Sequence, residues 1–255
     1  MTSGRTVPSS AFKLGIQLYG LQDNCSKDMP GTLKALAGFG YQGIEFTPPY
    51  QTAAESLAAT LCAFGLQAIG FYAFKPQELL DPNHATYTQL RTLGIRHVST
   101  GFPQMVNQEW PEAIEQIRCL ADIIHRQGLT LDYHNHEQEF QCVQGRPALE
   151  LLAQQTDPNL VQFELDTYMT VKASEDPVKW IERFAGRMTR LHVKDIHRHD
   201  DSVAVFGKGD LNARAVLQAA ARSGVEWLIV EFHPGLANPL EMARLCLEGV
   251  RGISF

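Results

Sequence analysis

The chain has 255 residues, of which 44% are apolar and 20% charged, which suffices for one large hydrophobic core. Its formal net charge of -6 gives no basic surface for nucleic acid, and no apolar run approaches the roughly 18 residues of a membrane helix. Five scattered cysteines without a C-x-x-C pair, and a start without an apolar leader, indicate a reducing compartment, so we expect a cytoplasmic protein.

Short apolar segments alternate with longer amphipathic segments along nearly the whole chain. Residues 1–11 are polar, and we expect them to form a loose tail. The predicted strands cover residues 13–19, 41–46, 67–72, 96–99, 129–134, 160–165, 188–193 and 227–231. The predicted helices cover about residues 31–39, 52–64, 85–93, 107–127, 147–155, 176–184, 211–223 and 238–250. Glycine just past the end of a helix, as at Gly40, Gly65 and Gly94, supports these boundaries.

This alternation of strand and helix predicts the fold class. Alternating units give a parallel sheet, and continuously apolar strands are typical of strands buried on both faces. Eight units in one chain of this length predict an α/β fold, a closed (β/α)8 TIM barrel, as a single domain over residues 12–255. An open doubly wound sheet is the alternative, but the G-x-G-x-x-G turn that would favour it is absent after the first strand.

Polar residues stand at the ends of several predicted strands, where TIM barrels carry their chemistry. His134 and His136 end the fifth strand and, two residues apart, point to the same face. Asp166, His192 and Glu231 belong to the next three strands, each about one strand–helix unit further along the chain. Four consecutive strands thus each bring an imidazole or a carboxylate to one rim.

Mixed nitrogen and oxygen ligands suit a divalent first-row ion such as Mn, Co, Zn or Fe, whereas imidazole makes Mg less favourable. We expect one such ion, with Mn favoured. A protein shell that leaves coordination positions open can accept a substrate oxygen, which indicates a catalytic site. The predicted metal ligands are His134, Asp166, His192 and Glu231.

Four segments carry a family resemblance: Tyr133-His134-Asn135-His136 with Glu139-Phe140, Glu164-Leu165-Asp166-Thr167, Leu191-His192-Val193-Lys194-Asp195 and Ile229-Val230-Glu231. They resemble the xylose isomerase-like TIM-barrel superfamily, and more narrowly its sugar phosphate isomerase/epimerase branch. The resemblance implies a metal held by Glu, Asp, His and Glu from the fifth to eighth strands. Here the first of these positions falls on His134, as in proteins similar to inosose dehydratase. Glu137, Glu139 and Asp132 are the alternative ligands from that region.

The chemistry implied is proton transfer next to a carbonyl through an enediolate, with the metal as Lewis acid. His136 is the favoured base because its pKa lies near working pH. Glu231 can be both ligand and base, and Glu139 and Lys194 are candidates for proton relay. The predicted substrate-binding residues are Gln17, Glu45 and Arg198. Gly207-Lys208-Gly209-Asp210 is read either as a weak phosphate cradle or as a plain turn.

The function we expect is that of a divalent-metal-dependent isomerase or epimerase acting on a small sugar or keto-sugar, phosphorylated or not. The alternative is a lyase of the same fold, which dehydrates a keto-inositol or opens a 3-keto-glycoside. An endonuclease at abasic DNA is disfavoured by the acidic charge and by His134, and a non-catalytic sugar-binding barrel is a further hypothesis. We expect a small polyhydroxylated substrate, neither nucleic acid nor a membrane as partner, and we allow for a homo-oligomer.

Overall fold

A closed barrel of eight parallel strands forms the centre of the molecule. The structure, a computed structural model, describes residues 12–48, 52–101 and 110–254, so the predicted tail at residues 1–11 lies outside it. The strands are β1 (Lys13–Gln17), β2 (Gly43–Phe46), β3 (Gln67–Tyr72), β4 (His97–Thr100), β5 (Thr130–His134), β6 (Val161–Asp166), β7 (Arg190–Val193) and β8 (Trp227–Val230). Each strand pairs with its neighbours in chain order, and β8 pairs with β1. The predicted (β/α)8 barrel is confirmed.

Helices follow the strands and cover the outside of the barrel. They are α1 (Gln22–Phe39), α2 (Ala54–Phe64), α3 (Ala85–Leu93), α4 (Trp110–Arg126), α5 (Ala148–Gln155), α6 (Thr167–Lys172), α7 (Pro177–Arg183), α8 (Ala213–Ser223) and α9 (Pro239–Gly252). Apolar strand residues such as Ile16, Ile44 and Leu191 are fully buried beneath these helices. Within the described ranges, no helix is both long and apolar enough to cross a membrane.

The first helix starts earlier than the sequence predicts. It begins at Gln22 rather than near Gly31, and its backbone is non-helical at Asp28, so it consists of two helical pieces. The Asp28 carboxylate accepts a hydrogen bond from the backbone N–H of Gly31 at 2.9 Å. The predicted start is therefore an internal N-cap, where Asp28 satisfies a free donor of the second piece.

The structure also contains elements that the sequence does not predict. Helix α6 follows β6 directly, and its first turn is capped by the carboxylate of Asp166, which accepts from the N–H of Met169. Two short antiparallel hairpins interrupt the loops after β5 and β7, at residues 142–147 and 195–204. These pieces are too short to leave a periodic pattern, which explains why the sequence does not reveal them.

The bore of the barrel is apolar at one end and polar at the other. Ile69, Trp227 and Ile229 form a separate buried cluster near the beginnings of the strands. Gly43 makes room for this cluster, since a Cβ atom there would lie 2.6 Å from the Trp227 ring. Towards the carboxyl ends of the strands the inward positions carry charged side chains. This arrangement directs the chemistry to the C-terminal mouth of the barrel.

Candidate metal centre

Four buried side chains from consecutive strands meet at the C-terminal mouth, and we call them the four-residue set. Each offers one ligand atom, and these atoms all lie within 4.8 Å of one another. The members are His134 at the end of β5, Asp166 at the end of β6, His192 in β7 and Glu231 just after β8. The structure thus brings together the four residues that strand spacing selects as ligands. Their role as ligands stays a prediction.

The two imidazoles present one nitrogen to the set and the other to a carboxylate outside it. His192 Nδ1 lies 2.8 Å from Glu231 Oε2, and His192 Nε2 lies 2.8 Å from Glu45 Oε2. His134 Nε2 lies 3.9 Å from Asp166 Oδ2, and His134 Nδ1 lies 3.5 Å from Glu164 Oε2. The Glu45 contact is a hydrogen bond of the kind that usually orients metal-binding histidines, whereas His134 Nδ1 and Glu164 Oε2 face each other without a hydrogen bond.

The donor atoms fit a divalent cation. Asp166 Oδ1 accepts from the N–H of Met169, but the buried Oδ2 has no hydrogen-bond partner among the described residues. A buried carboxylate oxygen without a partner is costly unless a cation satisfies it. Two imidazoles and two carboxylates match the preferences of Mn, Fe, Co and Zn. His134, Asp166, His192 and Glu231 would therefore hold one such ion.

Charged groups around the set perturb its titration. Burial acts to raise the pKa of Glu231, but Lys194 and His192 outweigh it and hold that pKa well below its usual range. Burial likewise acts to lower the pKa of His192, but the carboxylates of Glu164 and Glu45 dominate and raise it. The mouth therefore contains ionised carboxylates that are balanced by buried cations.

Lys194 is a buried cation that contacts the set directly. Its Nζ donates to Glu231 Oε1 at 2.7 Å, and lies 3.0 Å from His233 Nε2 and 3.7 Å from Asp166 Oδ2. The predicted relay residue thus touches two members of the set. Sequence reasoning missed His233, although it follows Glu231 by two residues, just as His136 follows His134.

His136 and Glu139 are direct neighbours, since His136 Nδ1 lies 3.8 Å from Glu139 Oε1. Glu139 is fully buried, and its two oxygens accept from the Tyr133 hydroxyl and from the His136 N–H, each at 2.9 Å. The His136 ring lies 5.4 Å from the His134 ring, and its buried Nδ1 has no hydrogen-bond partner in the described part of the chain. Glu139 therefore stabilises the loop after β5, while His136 Nδ1 makes no hydrogen bond to the described residues. Their catalytic roles stay predictions.

The predicted substrate-binding residues fall in different places. Gln17 Nε2 donates to Glu45 Oε2 at 2.9 Å, and both side chains are buried below the set. Arg198 is exposed in the turn of the hairpin at 195–204, and it lines a cavity with Ser174 and Asp210 instead of the mouth. The structure therefore does not bring Arg198 to the set, because the chain turns away from the barrel after Lys194.

The alternative ligands from the β5 region are engaged elsewhere. Asp132 Oδ2 lies 2.8 Å from His97 Nδ1, one layer deeper in the bore. Glu137 is exposed and pairs with Lys172 at 3.0 Å. Among the described residues, His134 is the one from this region that joins the set.

The Gly207–Asp210 loop is a structural turn. Asp195 Oδ2 accepts from the N–H groups of Gly207 at 2.9 Å and Gly209 at 3.1 Å, and its Oδ1 accepts from Leu211 at 3.0 Å. An internal carboxylate thus occupies the concavity that a phosphate would need. These contacts favour the plain-turn interpretation of this loop over the phosphate-cradle interpretation, although the helix cap is Asn212 and not Asp210.

An aromatic wall borders the mouth on the β1–β3 side. The ring of Tyr72, at the end of β3, lies 5.2 Å from the His134 ring in an edge-on arrangement. Phe74 lies 5.1 Å from Tyr72 and 5.6 Å from Tyr19, and it is 46% exposed. The aromatic wall, defined as Tyr19, Tyr72 and Phe74, leads from solvent to the set.

Comparisons with known proteins agree with this architecture. A family model described as a xylose isomerase-like TIM barrel matches residues 33–248. An inosose dehydratase from Clostridium tetani is 28% identical over 162 residues, which are 55% of this chain and 53% of that protein. The chain spans about half the length of the curated relatives it matches.

Solved structures share the fold. A sugar phosphate isomerase/epimerase from Parabacteroides distasonis superposes with a TM-score of 0.80 at 23% identity, covering 97% of this chain and 95% of that one. The IolI protein, solved with a bound zinc atom, has a TM-score of 0.74 at 13% identity, covering 96% and 99%. At these identities the likeness shows the fold alone. With its family match and its closed barrel, the chain belongs to the xylose isomerase-like TIM-barrel family.

Proposed function

We propose that the chain is a divalent-metal-dependent enzyme that removes a proton next to the carbonyl of a small polyhydroxylated ketone. In our proposal the enediolate then loses a β-hydroxyl as water, which makes the enzyme a dehydratase. The observation that carries this proposal is the four-residue set, whose ligand atoms converge beside the ammonium group of Lys194. The similarity to inosose dehydratases supports the same reaction class.

The bound ion supplies Lewis acidity, which makes the C–H bond beside the carbonyl easier to ionise. His136, whose ring lies 5.4 Å from the His134 ring, accepts the carbon-bound proton. Lys194 Nζ donates a proton to the departing hydroxyl group, so that the C–O bond breaks and water leaves. His233, 3.0 Å from Nζ and partly exposed, passes a solvent proton back to Lys194.

A neutral ring-shaped substrate fits this mouth better than a sugar phosphate. In the Gly207–Asp210 loop the N–H groups of Gly207 and Gly209 already donate to Asp195, and those of Lys208 and Asp210 donate to backbone carbonyls. The aromatic wall offers the C–H face of a ring a stacking surface next to the set. We therefore place keto-inositols and keto-glycosides ahead of phosphorylated open-chain sugars as substrates.

The second candidate is an isomerase or epimerase that uses the same site. His136 follows β5 and Glu231 follows β8, so proton-transferring groups stand on different strands. Such an arrangement can return a proton to a neighbouring carbon or to the other face of the same carbon. This candidate differs from the dehydratase only in the fate of the enediolate.

Proton NMR in D2O with a keto-inositol and a 3-keto-glucoside, each with Mn2+, separates the two candidates. Dehydration removes one C–H hydrogen and one C–OH group and gives an unsaturated or deoxy product. Isomerisation or epimerisation instead exchanges deuterium into a molecule that keeps all its oxygen atoms. Deuterium exchange without loss of water would exclude the dehydratase. Asp166→Asn should abolish either reaction, and Asp122→Asn, an exposed aspartate on α4, is the matched control.

A further inference from the structure

A second group of potential ligands lies directly below the four-residue set. It consists of Glu45, Glu164 and His192, all buried, and it shares His192 with the set. Two ligand groups that share a residue are the arrangement expected of a two-metal site. Whether the centre takes one ion or two therefore depends on what neutralises Glu45 and Glu164.

The guanidinium group of Arg190 occupies the space between these two carboxylates. Its Nη2 donates to one oxygen of Glu45 and one oxygen of Glu164, and its Nε donates to the same Glu164 oxygen at 2.8 Å. Nη1 donates to the carbonyl of Ile69 at 2.7 Å, so the fork is held on three sides. Arg190 is only 1% exposed, and its Nε also lies 3.7 Å from the buried carboxylate of Asp132.

The barrel leaves room for this side chain at one position of β3. A Cβ atom added to Gly70 would lie 2.3 Å from Arg190 Nη1, so any larger residue would collide with the fork. The guanidinium is thus a fixed positive charge in a fixed place.

The Oε2 atoms of the two glutamates do not bind Arg190 and face the imidazoles of His192 and His134. Glu45 Oε2 lies 2.8 Å from His192 Nε2, and Glu164 Oε2 lies 3.3 Å from the same nitrogen and 3.5 Å from His134 Nδ1. Each glutamate thus has one oxygen on the guanidinium and one oxygen towards a predicted ligand of the set. A second divalent ion at this depth would have to displace Arg190 or lie against its positive charge.

We propose that Arg190 is the permanent cation of the lower group, which confines the centre to one divalent ion and reserves Glu45 and Glu164 for orienting His192 and His134. In this role Arg190 is a positioning residue, since it acts through the two glutamates. The inference rests on the proposed metal-dependent function, and it specifies how many ions that function uses.

The test counts metal ions on the full chain, independently of turnover. Chelator-stripped protein is titrated with Co2+ and followed by visible absorption, and bound metal is measured after desalting by plasma mass spectrometry. We expect saturation at one equivalent. Arg190→Met should shift saturation to two equivalents, because the carboxylates of Glu45 and Glu164 then lose the cation between them. Arg222→Met, an exposed arginine paired with Glu182, is the matched control and should stay at one.

Arg190→Met also leaves buried carboxylates unpaired and can fail to fold, so Glu164→Gln provides an independent test. It should keep one equivalent but bind it about 10- to 100-fold more weakly, because His134 and His192 lose the negative charge that lies 3.5 Å and 3.3 Å from their nitrogens. Two equivalents in the unaltered chain overturn the inference and leave the proposed function standing. Unchanged affinity in Glu164→Gln also overturns the inference alone. A folded chain that binds no ion overturns the inference and the proposed metal dependence together.

Discussion

Lys194 Nζ donates a 2.7 Å hydrogen bond to Glu231 Oε1, so an ammonium group contacts a predicted metal ligand directly. The same nitrogen lies 3.7 Å from Asp166 Oδ2, a second predicted ligand. An ammonium group in this place weakens metal binding by charge repulsion, yet it is well placed to donate a proton to a substrate oxygen. Removing the ammonium group should therefore raise the affinity for the metal and lower the rate of turnover.

Lys194→Met should bind Mn2+ more tightly than the unaltered chain and turn over about 100-fold or more slowly. Affinity rises because a competing positive charge is removed, and turnover falls because the proton donor is lost. Calorimetric titration with Mn2+ and steady-state kinetics measure the two effects. Lys172→Met, a partly exposed lysine paired with Glu137, is the control. Parallel loss of affinity and turnover would show that Lys194 only supports the fold.

His136→Gln should lower kcat by about 10²- to 10⁴-fold, the usual contribution of a general base. Metal stoichiometry should stay the same, because His136 lies outside the four-residue set. Deuterium exchange into substrate should fall with kcat. His125→Gln, on the exposed side of α4, serves as the comparison. A variant that keeps full exchange would assign the base to another residue.

Phe74→Ala should raise KM for a ring-shaped substrate by about 2- to 10-fold and leave kcat nearly unchanged. The basis is the loss of an aromatic contact, which contributes about 0.5–1.5 kcal/mol. Leu80→Ala is a matched control, since Leu80 is 45% exposed but lines a cavity beside α4 instead of the mouth. Equal effects of the two substitutions would remove the aromatic wall from substrate binding.

Asp195→Asn should lower the free energy of unfolding by about 2–5 kcal/mol. The carboxylate accepts from four backbone N–H groups, those of Ile196, Gly207, Gly209 and Leu211. An amide offers one acceptor oxygen, so some of these donors lose their partner, at a cost of about 1–3 kcal/mol each. Urea denaturation gives the value, and a loss below about 1 kcal/mol would contradict the assigned role.

The five thiols should react with iodoacetamide in two classes. Cys62, Cys119 and Cys142 are exposed and should be modified rapidly. Burial raises the pKa of Cys25 to about 12 and that of Cys246 to about 11, so at pH 8 only roughly 1 in 10,000 Cys25 side chains is a thiolate. Their reactivity should grow as the pH rises towards these values. Mass spectrometry that finds a fourth fast cysteine at pH 8 would contradict this division.

The repeating parts of the fold were predictable because they follow local periodicity. Strand ends such as His134 and Asp166 are marked by an apolar run that stops at a polar residue, and parallel strands place such ends on one rim. Strand spacing therefore predicts that the members of the four-residue set meet on one rim. The helix ends at Gly40, Gly65 and Gly94 were equally predictable, since each glycine adopts a positive φ.

The lower layer of the site could not be predicted in the same way. Arg190 contacts Glu45, 145 positions away, and Glu164, 26 positions away, and no local pattern encodes such pairings. Its sequence signal was a charged residue inside an apolar strand, which by itself does not identify a partner. Arg198 was misplaced for a related reason, because the hairpin after Lys194 redirects the chain out of the barrel.

The apolar cluster of Ile69, Trp227 and Ile229 has a kinetic consequence for the proposed reaction. The cluster fills the bore beneath the charged layer. Substrate therefore reaches the set through the C-terminal mouth. Substrate and product then use the same entrance, and a product molecule must dissociate before the next substrate can bind. We therefore expect the product to inhibit competitively with substrate. The same cluster keeps water in the N-terminal end of the bore away from the enediolate.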